Sequence, residues 1–367
     1  MSRVRVLGAG IIGLSVTQAL LAAGHDVEVV DPAPGQGASF AAAGMLTPAS
    51  EVWHDEPALL AHHRTSLGLW PELADRLGVS LERHGTLLVG CDGGDLQQVE
   101  RHAELLRALG EQPQMLTRAE LRRVEPEVGA RVIGALALLA EPSVDPRAVV
   151  AALRRRIAVQ ARPSREAAEV TVIATGAELP PPWRQLVRRV RGEILRLRLD
   201  GGPRHTLRGW VRGEPVYVVP RADGEIVVGA TSEEHDTPAE VSAGGVLRLL
   251  HAARELAPAL DRAVFVEATA RDRPAAVDNL PLVGPAPWAA DSAEHGRVVL
   301  AAGLHRHGVL LAPLVARLVA AHLANGHVEP LFDPRRPAVA ALALPGADAE
   351  AIPNQRPTTP HHAPGAR

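Results

Sequence analysis

The sequence predicts an α/β protein. A Rossmann-type nucleotide-binding domain is assembled from separated segments, and an α+β domain with a mostly antiparallel sheet is inserted between them. Three observations lead there. The chain opens on a strand, a glycine turn, a helix and a second strand (residues 4–31). It closes on another strand–turn–helix unit (residues 297–325). Between the two lie short strands of antiparallel character joined by turn residues.

The opening unit carries the strongest signal. VRVLGAG reads as a strand, IIGLSVTQALLAAG as a helix and DVEVV as a strand ending on Asp31. Gly8, Gly10 and Gly13 have the G-x-G-x-x-G spacing, and an acid follows about twenty residues on. Gly8 permits the turn, Gly10 lets the backbone touch a pyrophosphate, and Gly13 lets helix and strand pack closely. The helix N-terminus offers N–H groups and partial positive charge to phosphate, and Asp31 can accept from ribose hydroxyls. The Gly/Ala-rich run 32–51 suits a backbone pressed against something large and flat.

Further along, apolar spacing predicts a helix over residues 57–77, a strand over 85–90 and an amphipathic helix over 96–109. Thr117 and Glu120 form a capping-box pair for a helix through Val124. Asp145 and Pro146 start a helix reaching about residue 157. A short apolar strand over 169–175 runs into Gly176. Strands follow over 193–199, 215–220 and 225–229, the last two joined at Asp223-Gly224. A helix over 246–257 and a strand over 263–269 precede the closing strand 297–303, the HRHG turn and a helix over 309–325.

Composition excludes several classes. The net charge of −3 over 367 residues argues against nucleic acid as a partner. The stretch 188–199 alternates Arg with Ile and Leu and is expected to be a half-exposed strand with a solvated face. Cys91 is the only cysteine, so intrachain disulfides and Cys-rich metal sites are excluded. No metal site is expected. His62-His63 and His361-His362 lack zinc-like spacing with partners and are expected to be exposed loop residues. No secretory signal is read at the start and no apolar run looks long enough to cross a bilayer, so a cytoplasmic protein without membrane contact is expected.

Five stretches together resemble a known family: VRVLGAGIIGLS with VEVVD, GASFAAAGMLTPASE, VTVIATGA, YVVPRADGEIVVGATSE, and RPAAVDNLPLVG with AAGLHRHGVLLAP. They are similar to the flavin-dependent amine and amino-acid oxidases of the D-amino-acid oxidase superfamily, and within it to the glycine oxidases of thiamine biosynthesis. The resemblance implies a Rossmann-type FAD-binding domain built from discontinuous segments (residues 1–82, 143–185 and 290–330) and a substrate domain (83–142 and 186–289). Residues 335–367, Pro-rich and polar, are expected to form a disordered tail.

The resemblance also implies roles. Gly8, Gly10, Ile11, Ile12, Gly13 and Asp31 would hold the ADP half of a non-covalent FAD. Ala43, Gly44 and Met45 would lie by the isoalloxazine, and Thr175 and Gly176 on the adenosine side. Gly303, His305, Arg306, His307, Gly308 and Val309 would bring a helix N-terminus to the flavin. Arg273 and Tyr217 would anchor a substrate carboxylate, Arg306 would lie near flavin and substrate, and Met45 would wall the pocket. The implied reaction takes glycine, or another small amine, and O2 to an imine, then glyoxylate and ammonia, with hydrogen peroxide. A sarcosine or D-amino-acid oxidase or dehydrogenase, or a non-catalytic flavin-binding subunit, stays open, and a homo-oligomer is expected. The chain departs from the pattern at Pro215, at Ser232 and over Thr269, Arg271 and Asp272.

Overall fold

The computed structural model describes residues 1–53, 56–234, 237–288 and 297–343. Hydrophobic strands from both ends of the chain share one sheet. A six-stranded sheet runs in the order Leu282–Pro285, Arg297–Ala302, Val170–Ile173, Arg3–Leu7, Asp26–Val30, Val159–Gln160. All neighbours are parallel except the outermost pair, Leu282–Pro285 with Arg297–Ala302. Val4, Val6, Val170, Val172 and Val299 are buried in its core with the opening helix Ile11–Ala22 and the closing helix Gly308–Asn325. That burial, repeated over a dozen large side chains at roughly 1.5–3 kcal/mol each, is what joins segments three hundred residues apart.

A second, eight-stranded sheet runs Val264–Ala276, Val187–Arg198, Glu225–Gly229, Glu214–Pro220, Thr206–Val211, Thr86–Gly90, Gly134–Leu138, Gln114–Thr117. It is antiparallel throughout, apart from Thr206–Val211 beside Thr86–Gly90. Leu195, Leu197, Leu207, Val218 and Val228 point to one face and pack under the helix Ala243–Leu256. The opposite face carries Ile194, Val219, Val227 and Tyr217 and looks toward the first sheet.

Local signals hold. The helix Leu59–Leu77 ends on Gly78 at φ 67°, where glycine avoids left-handed strain. Thr117 and Glu120 make both capping-box bonds, and Asp145 caps the helix that Pro146 begins.

Five expectations are corrected. The strand Leu282–Pro285, expected within the substrate domain 186–289, belongs to the first sheet, because its apolar residues pair with Arg297–Ala302. The expected tail 335–367 is ordered at its start: Pro337–Ala340 is helical and Val339 is fully buried. Residues 344–367, with His361 and His362, lie outside the described residues. The expected solvated arginine face is confined to the strand's ends, where Arg188 is half-exposed and Arg189 and Arg198 are exposed. The middle of the strand Val187–Arg198 is interior, paired with Val264–Ala276 along its length and with Glu225–Gly229 from Ile194 on, leaving Arg191 and Arg196 2% and 1% exposed. Each therefore takes a carboxylate: Arg191 meets Asp272 and Arg196 meets Glu225. His63 sits inside the helix Leu59–Leu77 and is fully buried rather than in an exposed loop. Finally, the helix Gly308–Asn325 has the length and apolar composition to cross a membrane. Its buried Val309, Leu310, Leu311 and Val315 pack it against Ile11–Ala22 and Leu59–Leu77.

Candidate active site

The parallel strands of the first sheet all deliver their C-terminal ends to one place. Arg3–Leu7 runs into Gly8, Asp26–Val30 into Asp31, Val170–Ile173 into Thr175 and Gly176, and Arg297–Ala302 into the HRHG turn. A crevice outside such strand ends is where open α/β sheets take nucleotides. The turn is tightly built. Gly8 has φ +100°, and a Cβ there would lie 2.3 Å from the carbonyl oxygen of Ala174. A Cβ on Gly13 would lie 1.9 Å from the Gly8 oxygen, so Gly13 acts by letting the helix close on the turn. Asp31 accepts from the N–H of Ala9 (2.7 Å) and of Ala33 (2.8 Å). Its carboxylate keeps lone pairs for hydroxyls. The N–H groups of Gly10, Ile12 and Gly13 make no hydrogen bond among the described residues, which leaves three donors for an anion.

One cavity of about 1130 Å3 extends from this turn to the second sheet. Gly8, Gly10, Ile11, Ile12, Asp31, Ala43, Gly44, Met45, Thr175, Gly176, Tyr217, Arg273, His305, Arg306, His307, Gly308 and Val309 all line it. Gly13 and Gly303 do not; Gly303, at φ +68°, turns the chain beside Leu282. Cys91 also lies outside the lining, and burial with Asp95 close by pushes its thiol up to about 12. Gly44 interlocks with the segment after the strand Ser143–Val144: it has φ +78°, and a Cβ would meet the Val144 oxygen at 1.8 Å.

The second sheet forms the far wall. Its register aligns Thr269, Ile194, Gly229, Tyr217, Arg208 and Leu88 as successive cross-strand partners on one face. Gly229 leaves room for the Tyr217 ring: a Cβ there would lie 2.3 Å from the tyrosine hydroxyl. Likewise Gly192 leaves room for Arg273, whose guanidinium atoms would lie 2.4–2.5 Å from a Cβ. The side chain of Arg273 donates only to the carbonyl oxygens of Arg191 (3.4 Å) and Thr231 (3.3 Å), and no carboxylate among the described residues pairs with it. Burial raises the Tyr217 phenol above its ordinary value, against the pull of Arg273. The nearby Arg271 instead donates to the carbonyls of Gln36 (2.6 Å) and Ala270. The HRHG turn is stitched to the strand Val264–Ala276 beside Arg273, where the N–H of His305 donates to the Pro274 oxygen (2.6 Å).

Arg306 lies in the same cavity but is already paired. Its Nε is 3.1 Å from Glu51 Oε2 and its Nη2 is 2.6 Å from Glu56 Oε2. Arg208 pairs with the other oxygen of Glu51. Burial alone would raise the Glu51 carboxyl; Arg208 and Arg306 outweigh it and hold the group down at about 2. Behind them the rings of His63 and His307 stack 4.3 Å apart. Burial, with the charges of His307 and Arg306, pushes His63 down to about 2, and burial, with Arg306 and Arg208, pushes His307 down to about 3, so both are neutral at pH 7. His305 is likewise pushed down to about 3 by burial and Arg306.

The model of one family, FAD dependent oxidoreductase (DAO), matches residues 3–322. The chain belongs to this family. It is 33% identical over 345 residues to the putative thiamine biosynthesis oxidoreductase ThiO of Rhizobium etli, covering 89% of this chain and 98% of that protein. It is 30% identical over 354 residues to the glycine oxidase of Geobacillus kaustophilus, covering 86% and 91%. The crystal structure of the Geobacillus kaustophilus glycine oxidase superposes with a TM-score of 0.80 at 28% identity, over 92% of this chain and 99% of that one.

This protein is therefore an FAD-dependent oxidoreductase, and its residues fit the cofactor. The three unbonded N–H groups at the first helix suit a pyrophosphate. The N-terminus of Gly308–Asn325 presents Gly308, Val309 and Leu310 to the cavity with their N–H groups unbonded among the described residues. Glu51, Glu56 and Arg208 had no role assigned from the sequence, and His63 was expected to be exposed rather than buried beside His307. Glu51 stood inside the GASFAAAGMLTPASE stretch without a role. Arg208 lies in the strand Thr206–Val211, whose alternation of buried Leu207 and Val211 with cavity-facing Arg208 and Trp210 is legible as a period of two.

Proposed function

We propose that this protein is an amino-acid oxidase acting on glycine or a similarly small amine. It would convert the amine with O2 to an imine, which water takes to glyoxylate and ammonia, and release hydrogen peroxide. A supply of imine to thiazole formation in thiamine biosynthesis is the role this reading assigns, as the printed name of the Rhizobium etli relative suggests. The carrying observation is Arg273. It is a guanidinium without a carboxylate partner among the described residues, on the wall of the nucleotide cavity and on the same face as Tyr217. A half-buried cation satisfied only by carbonyls suits an incoming carboxylate, which its planar fork matches bidentately.

Arg273 and the Tyr217 hydroxyl would fix the carboxylate and so orient the Cα–H, with Met45 walling the pocket. Bound FAD supplies the two-electron acceptor. The Gly308–Asn325 N-terminus would stabilise negative charge through its dipole. With Cys91 outside the cavity, the FAD would be held without a covalent bond.

The test is a visible spectrum of the purified protein before and after anaerobic glycine, followed by a peroxide assay over glycine, sarcosine, D-alanine and D-proline. Bleaching by glycine together with peroxide formation supports the reading. Dye reduction without peroxide would make the protein a dehydrogenase, and a flavin that no amine bleaches would refute turnover. Arg273→Ala is expected to raise KM for glycine about 10- to 100-fold while the flavin absorbance persists.

A further inference from the structure

We propose that Glu51 is a specificity-determining residue: its carboxylate fills, from within the chain, the place that the second carboxylate of a dicarboxylic amine would take between Arg208 and Arg306. The inference rests on the amine-oxidase reading above and deepens it by naming the class accepted, amines with one carboxylate, and the class refused, amines with two.

Of the five arginines that line the cavity, Arg208, Arg273 and Arg306 bear on this inference. Cations held away from water require anions. Arg273 has none among the described residues, whereas Arg208 and Arg306 converge on the two oxygens of Glu51, one guanidinium to each. Arg208 donates a hydrogen bond to Oε1, and Arg306 Nε stands 3.1 Å from Oε2 as an ion pair, so the carboxylate sits between two guanidiniums where a ligand carboxylate could sit.

The backbone that carries Glu51 is anchored as well. Glu51 ends the short helix Pro48–Glu51. The N–H groups of Ala49 and Ser50 in that turn donate to the buried Glu141 at 2.7 and 2.9 Å. Arg208 is fixed from the opposite side, directly across from Tyr217 in the sheet register. Arg306 is tied a second time by Glu56. Swinging the Glu51 carboxylate away would break its ion pairs with Arg208 and Arg306. A ligand held at Arg273 and reaching past Tyr217 with a second carboxylate would meet the negative charge of Glu51 between the two arginines. With the Glu51 charge removed, the same ligand would find two uncompensated guanidiniums.

The experiment uses the FAD-loaded protein and two amine-free probes of equal chain length, glutarate with two carboxylates and valerate with one. Calorimetry gives their affinities, and steady-state peroxide kinetics compare iminodiacetate with glycine. The wild-type protein is expected to bind glutarate no tighter than valerate and to favour glycine. Glu51→Gln is expected to shift the glutarate-to-valerate affinity ratio by about tenfold or more, the scale of one charge-assisted hydrogen bond. The kcat/KM ratio of iminodiacetate to glycine should move the same way. Both gains should vanish in Glu51→Gln/Arg208→Gln. A folded, FAD-loaded Glu51→Gln with unchanged ratios overturns the proposal. So does a wild-type protein that prefers glutarate about tenfold, a measurement that decides even where the variant does not fold. A protein that oxidises no amine yet shows these binding ratios refutes the reaction and supports the assignment of Glu51.

Discussion

Replacing Gly192 with alanine displaces the Arg273 guanidinium without touching its charge. Gly192 pairs with Arg271 in an extended strand, so its backbone accepts alanine. The added Cβ would lie 2.4 Å from Nη2 and 2.5 Å from both Cζ and Nη1 of Arg273. Ordinary carbon contact needs roughly 3.5 Å, so the guanidinium must retreat by about 1 Å. A misplacement of that size costs about 100-fold in a positioned reaction, and losing one charge-assisted hydrogen bond costs about 1.5–3 kcal/mol. KM for glycine should therefore rise about 10- to 100-fold. Stability should hold or improve, because glycine inside a strand is about 0.5–1 kcal/mol worse than alanine. Steady-state peroxide formation over a glycine series reads the first effect, and thermal unfolding followed by flavin fluorescence reads the second. A yellow, folded variant with KM within about twofold of wild type would refute the placement of the substrate carboxylate at Arg273.

Other perturbations separate the cradle, the core and the buried histidines. Gly44→Ala forces a left-handed φ of +78° and a 1.8 Å clash on the Val144 carbonyl, so the ratio of flavin to protein absorbance after purification should fall well below wild type. Asp272→Ala leaves Arg191 buried without its carboxylate and should cost about 3–5 kcal/mol in urea unfolding. His63, His305 and His307 are held at about 2, 3 and 3 when folded and return to about 6.5 when unfolded. Only the unfolded state takes up these protons between pH 6.5 and 3, so stability is full above 6.5 and is lost as pH falls through that window. One such group removes about 2 kcal/mol by pH 5, and His63→Leu should keep that amount relative to wild type when unfolding at pH 7.5 and pH 5 is compared.

Local information was enough for the opening glycine turn with Asp31, the capping box at Thr117 and Glu120, the Asp145-Pro146 helix start and the Asp223-Gly224 hairpin. In each, the residues that interact sit within a few positions of one another or follow the period of a strand or helix. Arg273, Tyr217 and Arg306 were named through the family resemblance, and the structure brings all three to one cavity. Their partners were beyond reach. Nothing in the spacing says that Arg191 and Arg196 lie in an interior strand, that His63 stacks on His307, or that Glu51 bridges Arg208 and Arg306. Those pairings depend on which strands become neighbours and in what register, and apolar burial over the whole chain decides that. Charged side chains then take whatever opposite charge the packed backbone sets beside them, because a buried ion left alone is too costly to keep.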